Sequence, residues 1–478
     1  MLNSKLSKGL GVFLPVFLLG LYLRLKLYFF NPGLHCDEAS LALNMFDASY
    51  AELFKPLIRL QVAPPFFLVL AKYFYRFVNI NYTADFSDMM LRLIPLISGI
   101  AAIPAFGYLL NLIFKNKFIN FIGMFFLAIN ACAISYSCIF KQYSTEMLVS
   151  ILILIMFMKS WKYKFLVLGL TPYFSLTSFF ILPSCFCNLF IETYKTKDWK
   201  NFGAGILTFL IPFLSFILIF LIPVSRAHYG NMEGYWAETF SLVSNPFDYI
   251  KAVTHFLFRT QHALVFALAY CVSAAIMLVK NYKLFLYTAV PLFVTFVLTI
   301  TRHYPLSERF LLFLLPLVLI VYLYPLTLVS RKLQTIAILF IVYTFFNIPS
   351  VDMFHIKQEY GKEAWSYLAQ TYDGKSPVIL GEDFVTNLYY RTFYSKNFNY
   401  YDTAYAGKKN SYEAIKLLPK GTWYFIISRY DMRYYKDFAN YLSTDVEVRD
   451  IKLIQPLENP KANVVMDIPP AVVIKIEK

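Results

Sequence analysis

Long apolar runs separated by short basic clusters set the pattern of this chain. Runs of spanning length fall at about 10–30, 93–114, 118–136, 145–158, 202–223, 262–279, 284–301, 310–329 and 333–349. As helices these match, or nearly match, the ~20 residues needed to cross a bilayer. Between them lie Lys115/Lys117, Lys159/Lys162/Lys164, Lys195/Lys197/Lys200, Lys280/Lys283 and Arg331/Lys332. Placing all of these in the cytoplasm together with Lys5 and Lys8 fixes most of the topology, because short basic loops stay on that side. Residues 165–191 lie between two such clusters, so the stretch must enter the membrane and return. It reads as two short helices breaking near Thr177-Ser178, or as a re-entrant hairpin. Counted as two, it gives about eleven spans, with the N-terminus cytoplasmic and the C-terminus extracytoplasmic.

Two stretches depart from this pattern. A second apolar piece at 62–78 opens at Pro64-Pro65 and carries Lys72 and Arg76. Its basic residues suit a helix lying in the interface rather than one crossing it. It belongs to a first extracytoplasmic loop, 31–92. From about residue 350 the composition changes sharply. Strand-like runs at 377–380 and 423–427 alternate with helical pieces such as 359–370, which predicts a small mixed α/β domain outside the membrane. The domain boundaries follow: 1–349 for the membrane part and 350–478 for the soluble tail.

Composition agrees with this division. Of 478 residues, 58% are hydrophobic and 19% aromatic, only 15% are charged, and mean hydropathy is +0.54. A soluble chain of that length could not hide so much apolar surface. The net charge of +15 sits in the clusters between spans and does not mark a nucleic-acid binder. Cys36, Cys132, Cys138, Cys185, Cys187 and Cys271 lie within or beside apolar segments, with neither a disulfide framework nor zinc-ligand spacing. The first apolar run has no small-residue cleavage site after it and reads as an uncleaved span. The fold class is a polytopic α-helical membrane protein with a small C-terminal extracytoplasmic α/β domain.

Asp37 and Glu38 stand just past the first span, where a carboxylate is costly: a charge at a bilayer centre costs about 2.5–3.5 kcal/mol on insertion scales. Sorting polar residues by sidedness gathers others on the same face. The first loop adds His35 and Gln61. The turn before 145 adds Lys141 and Tyr143, with Glu146 opening the next helix. The loop at 302–309 adds Arg302, His303, Glu308 and Arg309, and Arg92 opens the second span. Carboxylates in one loop and cations in several others at one depth would bind a ligand carrying an anionic group. Each has an ordinary alternative. Arg92 and Arg309 read equally as helix-end arginines whose stems snorkel, as do Arg24 and Lys26 in the first span. His303 reads equally as a local cap. His35 beside two acids is a weak signal for a divalent metal ion; no other cofactor is indicated.

These motifs together resemble a family. The acid pair after the first span, the Pro-Pro interfacial helix, and Arg92-Leu93-Ile94-Pro95 opening the second span are similar to the C-type (GT-C fold) glycosyltransferases. The branch resembled is the bacterial relatives of dolichyl-phosphate-mannose protein mannosyltransferase and the lipid A aminoarabinose transferase. Phe140-Lys141-Gln142-Tyr143-Ser144-Thr145-Glu146 resembles that branch's basic-x-Tyr turn, and Pro305-Leu306-Ser307-Glu308-Arg309 its late arginine-bearing helix start. The likeness covers about 10–330 and is weakest in the tail.

What the resemblance implies is a hexosyl- or pentosyltransferase in a bacterial inner membrane. Its donor would be a sugar on a polyisoprenyl phosphate, and its acceptor a glycan, lipid or protein hydroxyl. Asp37 would be the general base of an inverting transfer, and Glu38 would orient it, orient the acceptor or help hold a divalent ion. Lys141, Arg302 or Arg309 would stabilise the leaving phosphate, and Tyr143 would hydrogen-bond it. A transporter or lipid flippase is the alternative reading; it would show internal repeats and mid-span charges, and the sequence has no such repeat. A non-catalytic scaffold would leave the acid pair unexplained. Which sugar and which acceptor are not written in these residues.

Overall fold

The structure is a computed structural model. It describes residues 2–31, 33–58, 61–77, 83–159, 161, 163–228, 237–240, 243, 245–335, 361–372, 374–380, 389–390, 393, 399–401, 422–428, 447–454 and 471–477. Its principal helices run, in chain order, α1 (Leu2–Phe30), α2 (Cys36–Asp47), α3 (Pro65–Phe77), α4 (Ala84–Leu91), α5 (Leu93–Phe114), α6 (Lys117–Ile129), α7 (Ala131–Tyr136) and α8 (Tyr143–Met158). They continue with α9 (Lys164–Leu170), α10 (Ser178–Thr196), α11 (Trp199–Phe216), α12 (Ile222–His228), α13 (Pro246–Phe258), α14 (Ala263–Lys280), α15 (Tyr282–Ile300), α16 (Glu308–Leu311), α17 (Leu315–Leu323) and α18 (Gly361–Thr371). Contacts divide the chain into two compact units. One comprises 1–29, 48–73 and 92–355; the other comprises 30–47, 74–91 and 356–478.

In the first unit, six helical stretches among the described residues are long and apolar enough to cross a membrane. They are Phe13–Phe30, Leu93–Phe114, Trp199–Ala227, Ala263–Lys280, Tyr282–Ile300 and Glu308–Leu328. These coincide with six of the expected spans. The expected spans at 118–136 and 145–158 are the shorter apolar helices Lys117–Ile129 and Tyr143–Met158, and 333–349 lies largely outside the described residues. The stretch 165–191 breaks as expected. Helix α9 ends in a 3-10 turn at Thr171–Tyr173, and α10 begins at Ser178. A break at this depth frees backbone N–H groups, which must find partners inside the protein. The Glu146 carboxylate accepts one of them, from Leu176 at 3.1 Å.

Burial separates core from lipid-facing helices. The stretch Glu308–Leu328 is 78% buried and apolar on all sides, the mark of a central helix. Trp199–Ala227 is only 22% buried and turns Leu207, Ile211 and Leu218 outward. Where helices approach most closely, glycine is required. A Cβ on Gly20 would lie 2.5 Å from Ile103 Cδ1, and one on Gly99 the same distance from Ser137 Cβ. Small residues let helix backbones meet without a hydrophobic driving force between them.

That close approach overturns the expectation for Arg24. It does not snorkel: it is fully buried. Its Nη1 donates to Gly20 O at 3.1 Å and Ala128 O at 2.9 Å, and its Nη2 to Leu127 O at 3.4 Å. The last carbonyls of α6 have no partner within their own helix, and a cation there also complements the helix dipole. Lys72 differs in the same way. It is buried, donating to Ala48 O, while Arg76 on the same helix is exposed.

The second unit contains the small mixed domain expected of the tail. Among the described residues its strands are β1 (Pro377–Leu380), β2 (Asn399–Tyr401), β3 (Thr422–Ser428), β4 (Glu447–Ile454) and β5 (Ala471–Glu477), in the order β2-β1-β3-β5-β4. β1 is parallel to both β2 and β3, whereas β5 is antiparallel to β3 and β4. Trp365 and Leu368 of α18 are fully buried, as is Val378 of β1, and Tyr424 of β3 is nearly so.

Candidate active site

In the second unit, Asp37 and Glu38 occupy the first turn of α2. His35 precedes that helix as its cap. The His35 Nδ1 accepts the Asp37 N–H at 3.2 Å, and the Glu38 carboxylate reaches back to the His35 N–H at 3.0 Å. The His35 carbonyl accepts the N–H of Glu38 and of Ala39 at 2.8 and 2.9 Å. This is a variant of the capping box in which a histidine ring stands where Ser or Thr is usual and accepts the N–H of the second helical residue, not the third. Both acids also sit at the positive end of the helix dipole. The cap divides their roles. Glu38 is almost wholly buried and engaged by the backbone, while Asp37 stays half-buried at the surface of the turn. A carboxylate held on a capped helix start, still accessible, can take a proton from a bound hydroxyl. For the reading of His35 as a metal ligand, Nε2 is the ring nitrogen left outside the cap. Its Nδ1 serves the cap, and no group of three or more His, Cys, Asp or Glu suited to a metal occurs among the described residues.

In the first unit the turn before α8 and the end of the 48–62 segment are zipped together. Lys141 Nζ donates to Gln61 Oε1 at 2.5 Å, and Gln142 Nε2 donates to Val62 O at 3.4 Å. Phe140 stacks on Phe67 at 5.8 Å, so α3 closes the same cluster. Lys141 and Gln61 are both buried. Tyr143, also buried, meets Tyr136 at 5.4 Å and Phe310 at 5.9 Å, edge to face. The structure thus brings Tyr143 against the helix start that carries Arg309, whose guanidinium lies 5.1 Å from the Phe310 ring centre. Arg302 and His303 are exposed in the turn after α15, Arg302 with a left-handed φ of 61°. His303 Nδ1 lies 3.2 Å from Thr301 Oγ1, the local pairing weighed for it. Arg92 is buried at the start of α5 and not spread along the surface as a snorkelling residue would be.

One residue at this end of the bundle was not singled out from the sequence. Arg259, just past α13, forms a two-pronged pair with Glu308, Nε to Oε2 and Nη2 to Oε1 both at 3.1 Å. Tyr136 donates to the same carboxylate at 2.9 Å, and Cys132 Sγ approaches it at 3.6 Å. Burial works against the Arg259 charge, but the forked Glu308 carboxylate outweighs it and holds its pKa above the ordinary arginine value. Nearby, Tyr304 is held well above the ordinary tyrosine pKa by burial first and then by Glu146. Its hydroxyl donates to Phe310 O at 2.7 Å. The only sequence signal for Arg259 is a lone arginine closing an amphipathic helix between spans.

At the level of sequence, no family model and no curated protein matches the chain. Solved structures do. The chain is similar to ArnT from Cupriavidus metallidurans in the apo state, at a TM-score of 0.55 and 10% identity, over 96% of this chain and 97% of that one. It is similar too to ArnT from the same organism bound to undecaprenyl phosphate, at a TM-score of 0.54 and 11% identity, over 99% and 98%. Two chains can diverge this far in sequence and keep one architecture where the pattern of apolar spans and buried contacts is kept. Nearly end to end, therefore, this chain has an ArnT-like GT-C fold.

Proposed function

We propose that this protein transfers a sugar from a polyisoprenyl-phosphate donor to an acceptor hydroxyl at the outer face of the bacterial inner membrane, with inversion at the anomeric carbon. The observation that carries this reading is the likeness, over 99% of the chain, to ArnT bound to undecaprenyl phosphate. Asp37 is the general base, taking the acceptor proton as the hydroxyl attacks and the phosphate leaves. Glu38 and His35 hold the turn that presents it. Lys141, with Gln61 fixing its ammonium, neutralises charge developing on the departing phosphate, assisted by Tyr143, Arg309, Arg92, Arg302 and His303. Buried charges such as Lys141 and Arg92 are worth more in this way than the same groups in solution. An outer-face reaction suits a lipid-borne donor, since nucleotide sugars are confined to the cytoplasm. The acceptor is a glycan, a lipid or a protein.

The test uses full-length protein in nanodiscs with a polyisoprenyl-phosphate sugar, following release of the polyisoprenyl phosphate. Asp37→Asn is expected to lower turnover at least 100-fold, the usual scale for losing a general base. Wild-type rates in that variant would remove Asp37 from the mechanism. Passage of the intact lipid across vesicles without bond cleavage would favour a flippase.

A further inference from the structure

Between α1 and α2, Asn31, Gly33 and Leu34 lie outside helix and strand yet are buried: Asn31 is 8% exposed and Leu34 is fully covered. Buried backbone groups outside helices and sheets need partners from elsewhere. Here the tail domain supplies them. The Leu34 N–H donates to the Tyr390 hydroxyl at 2.6 Å, and the Asn31 carbonyl accepts from Lys362 Nζ at 2.7 Å. Asn31 adopts a left-handed φ of 42°, and its Nδ2 donates to Asp85 O at 2.9 Å.

Both tail residues are anchored in turn on α4. Tyr390 donates to Asp88 Oδ2 at 2.9 Å, and Lys362 pairs with Asp85 at 2.8 Å and Asp88 at 3.7 Å. Asp88 is wholly buried, and its other oxygen accepts from Tyr389 at 2.8 Å. One carboxylate therefore fixes two tyrosines, and the Tyr390 hydroxyl in turn accepts the Leu34 N–H. From that N–H the chain passes through His35, the cap of α2, to Asp37.

We propose that Tyr390 and Lys362 are positioning residues of the tail domain, holding Leu34 and Asn31 so that the capped first turn of α2 presents Asp37 in one orientation. The tail is thus part of the machinery that aims the base. This rests on the transferase reading above. A misplacement of about 1 Å at a reacting group can cost on the order of 100-fold in rate.

Two readouts on the full chain in nanodiscs test it. The first is backbone hydrogen exchange, which does not depend on any activity. Tyr390→Phe is expected to speed exchange at residues 34–38 at least tenfold, and Tyr389→Phe to leave it unchanged. Each variant loses one hydrogen bond to Asp88 and one to a second partner, Ser87 Oγ for Tyr389 and the Leu34 N–H for Tyr390, so a merely structural role would give similar effects. The second readout is turnover of the polyisoprenyl-phosphate sugar. Tyr390→Phe should lower kcat tenfold or more with the donor KM unchanged. Lys362→Met should do the same, and Lys362→Arg should restore most of the rate. Unaltered exchange at 34–38 in Tyr390→Phe overturns the proposal, as does faster exchange with an unaltered kcat. If Tyr390→Phe also loses protection across β3 and β5, the Lys362→Met and Lys362→Arg pair decides by the same criteria. An inactive wild type would sink the transferase reading and leave the exchange comparison to judge the tether.

Discussion

Glu308 and Arg259 face each other through two parallel hydrogen bonds, each 3.1 Å long, with the Tyr136 hydroxyl closing on the same carboxylate. Paired in this forked way, a carboxylate and a guanidinium hold each other's orientation as well as charge. Only 15% of the Arg259 side chain and 28% of the Glu308 side chain are exposed, so neither can fall back fully on water. Glu308→Gln is expected to destabilise the protein by about 1–3 kcal/mol, read as a lower thermal midpoint in detergent. The double variant with Arg259→Met should recover part of that loss, because no charge is then stranded. Additive losses would mean that the pair is not coupled.

Arg24 ties α1 to the end of α6 through a planar fork that a point-like ammonium cannot copy. Arg24→Lys is therefore expected to be nearly as destabilising as Arg24→Leu, each by about 2–4 kcal/mol. Thermal unfolding of the two variants checks it. A near-native midpoint for Arg24→Lys would show that charge alone suffices.

If His35 serves as a cap and not as a metal ligand, asparagine should replace it well, since Asn is among the best N-cap residues. His35→Asn is expected to keep turnover within a few-fold of wild type. His35→Ala should lose about 1 kcal/mol of local helix stability, visible as faster amide exchange in the first turn of α2. A collapse of activity in His35→Asn that added divalent ions restored would restore the metal reading.

Tyr389 is held well above the ordinary tyrosine pKa of 10.0, by burial first and then by the Asp88 charge. The fold thus favours its neutral form. A group whose folded pKa is raised contributes its stability in full below its unfolded value and loses it as pH climbs through the folded one. The thermal midpoint of the second unit should be level from pH 7 to about 9 and fall above about 10. In Tyr389→Phe that alkaline fall should be shallower. An identical fall would assign it to other groups.

Sidedness can be read by chemical labelling. Thr301→Cys is expected to react with a membrane-impermeant thiol reagent from outside intact cells, and Lys195→Cys only after lysis; both positions are exposed. The reverse pattern would invert the topology and remove the argument for a lipid-carried donor.

Much of the fold was legible in the sequence because lipid imposes blunt rules. Apolar length marks the spans, Pro64-Pro65 marks the start of α3, and opposed lysine clusters require the break that falls before Ser178. The strands at 377–380 and 422–428 follow from β-branched and aromatic runs. What stayed hidden was pairing across distance. Arg24 looks like any interfacial arginine until its acceptors appear 104 residues away. Arg259 and Glu308 are 49 apart with nothing periodic to link them. At the candidate site, Lys141 and Gln61 are visible as polar residues in apolar surroundings, but the bond between them spans 80 positions. The histidine cap escaped notice because the capping-box pattern expects a hydroxyl, and an imidazole nitrogen plays that part here.

The bond from Leu34 to Tyr390 closes a loop of 356 positions in the sequence. On a ribosome adding 5–20 residues per second, about 18–70 s separate the emergence of its two ends. Through that interval the segment leading to Asp37 is already made, and its partner does not yet exist. A nascent or truncated chain would insert its helices and still lack the strut that steadies its acid. Order in the Leu34 turn is thus expected to arrive late, only once the stretch carrying Tyr390 has been made.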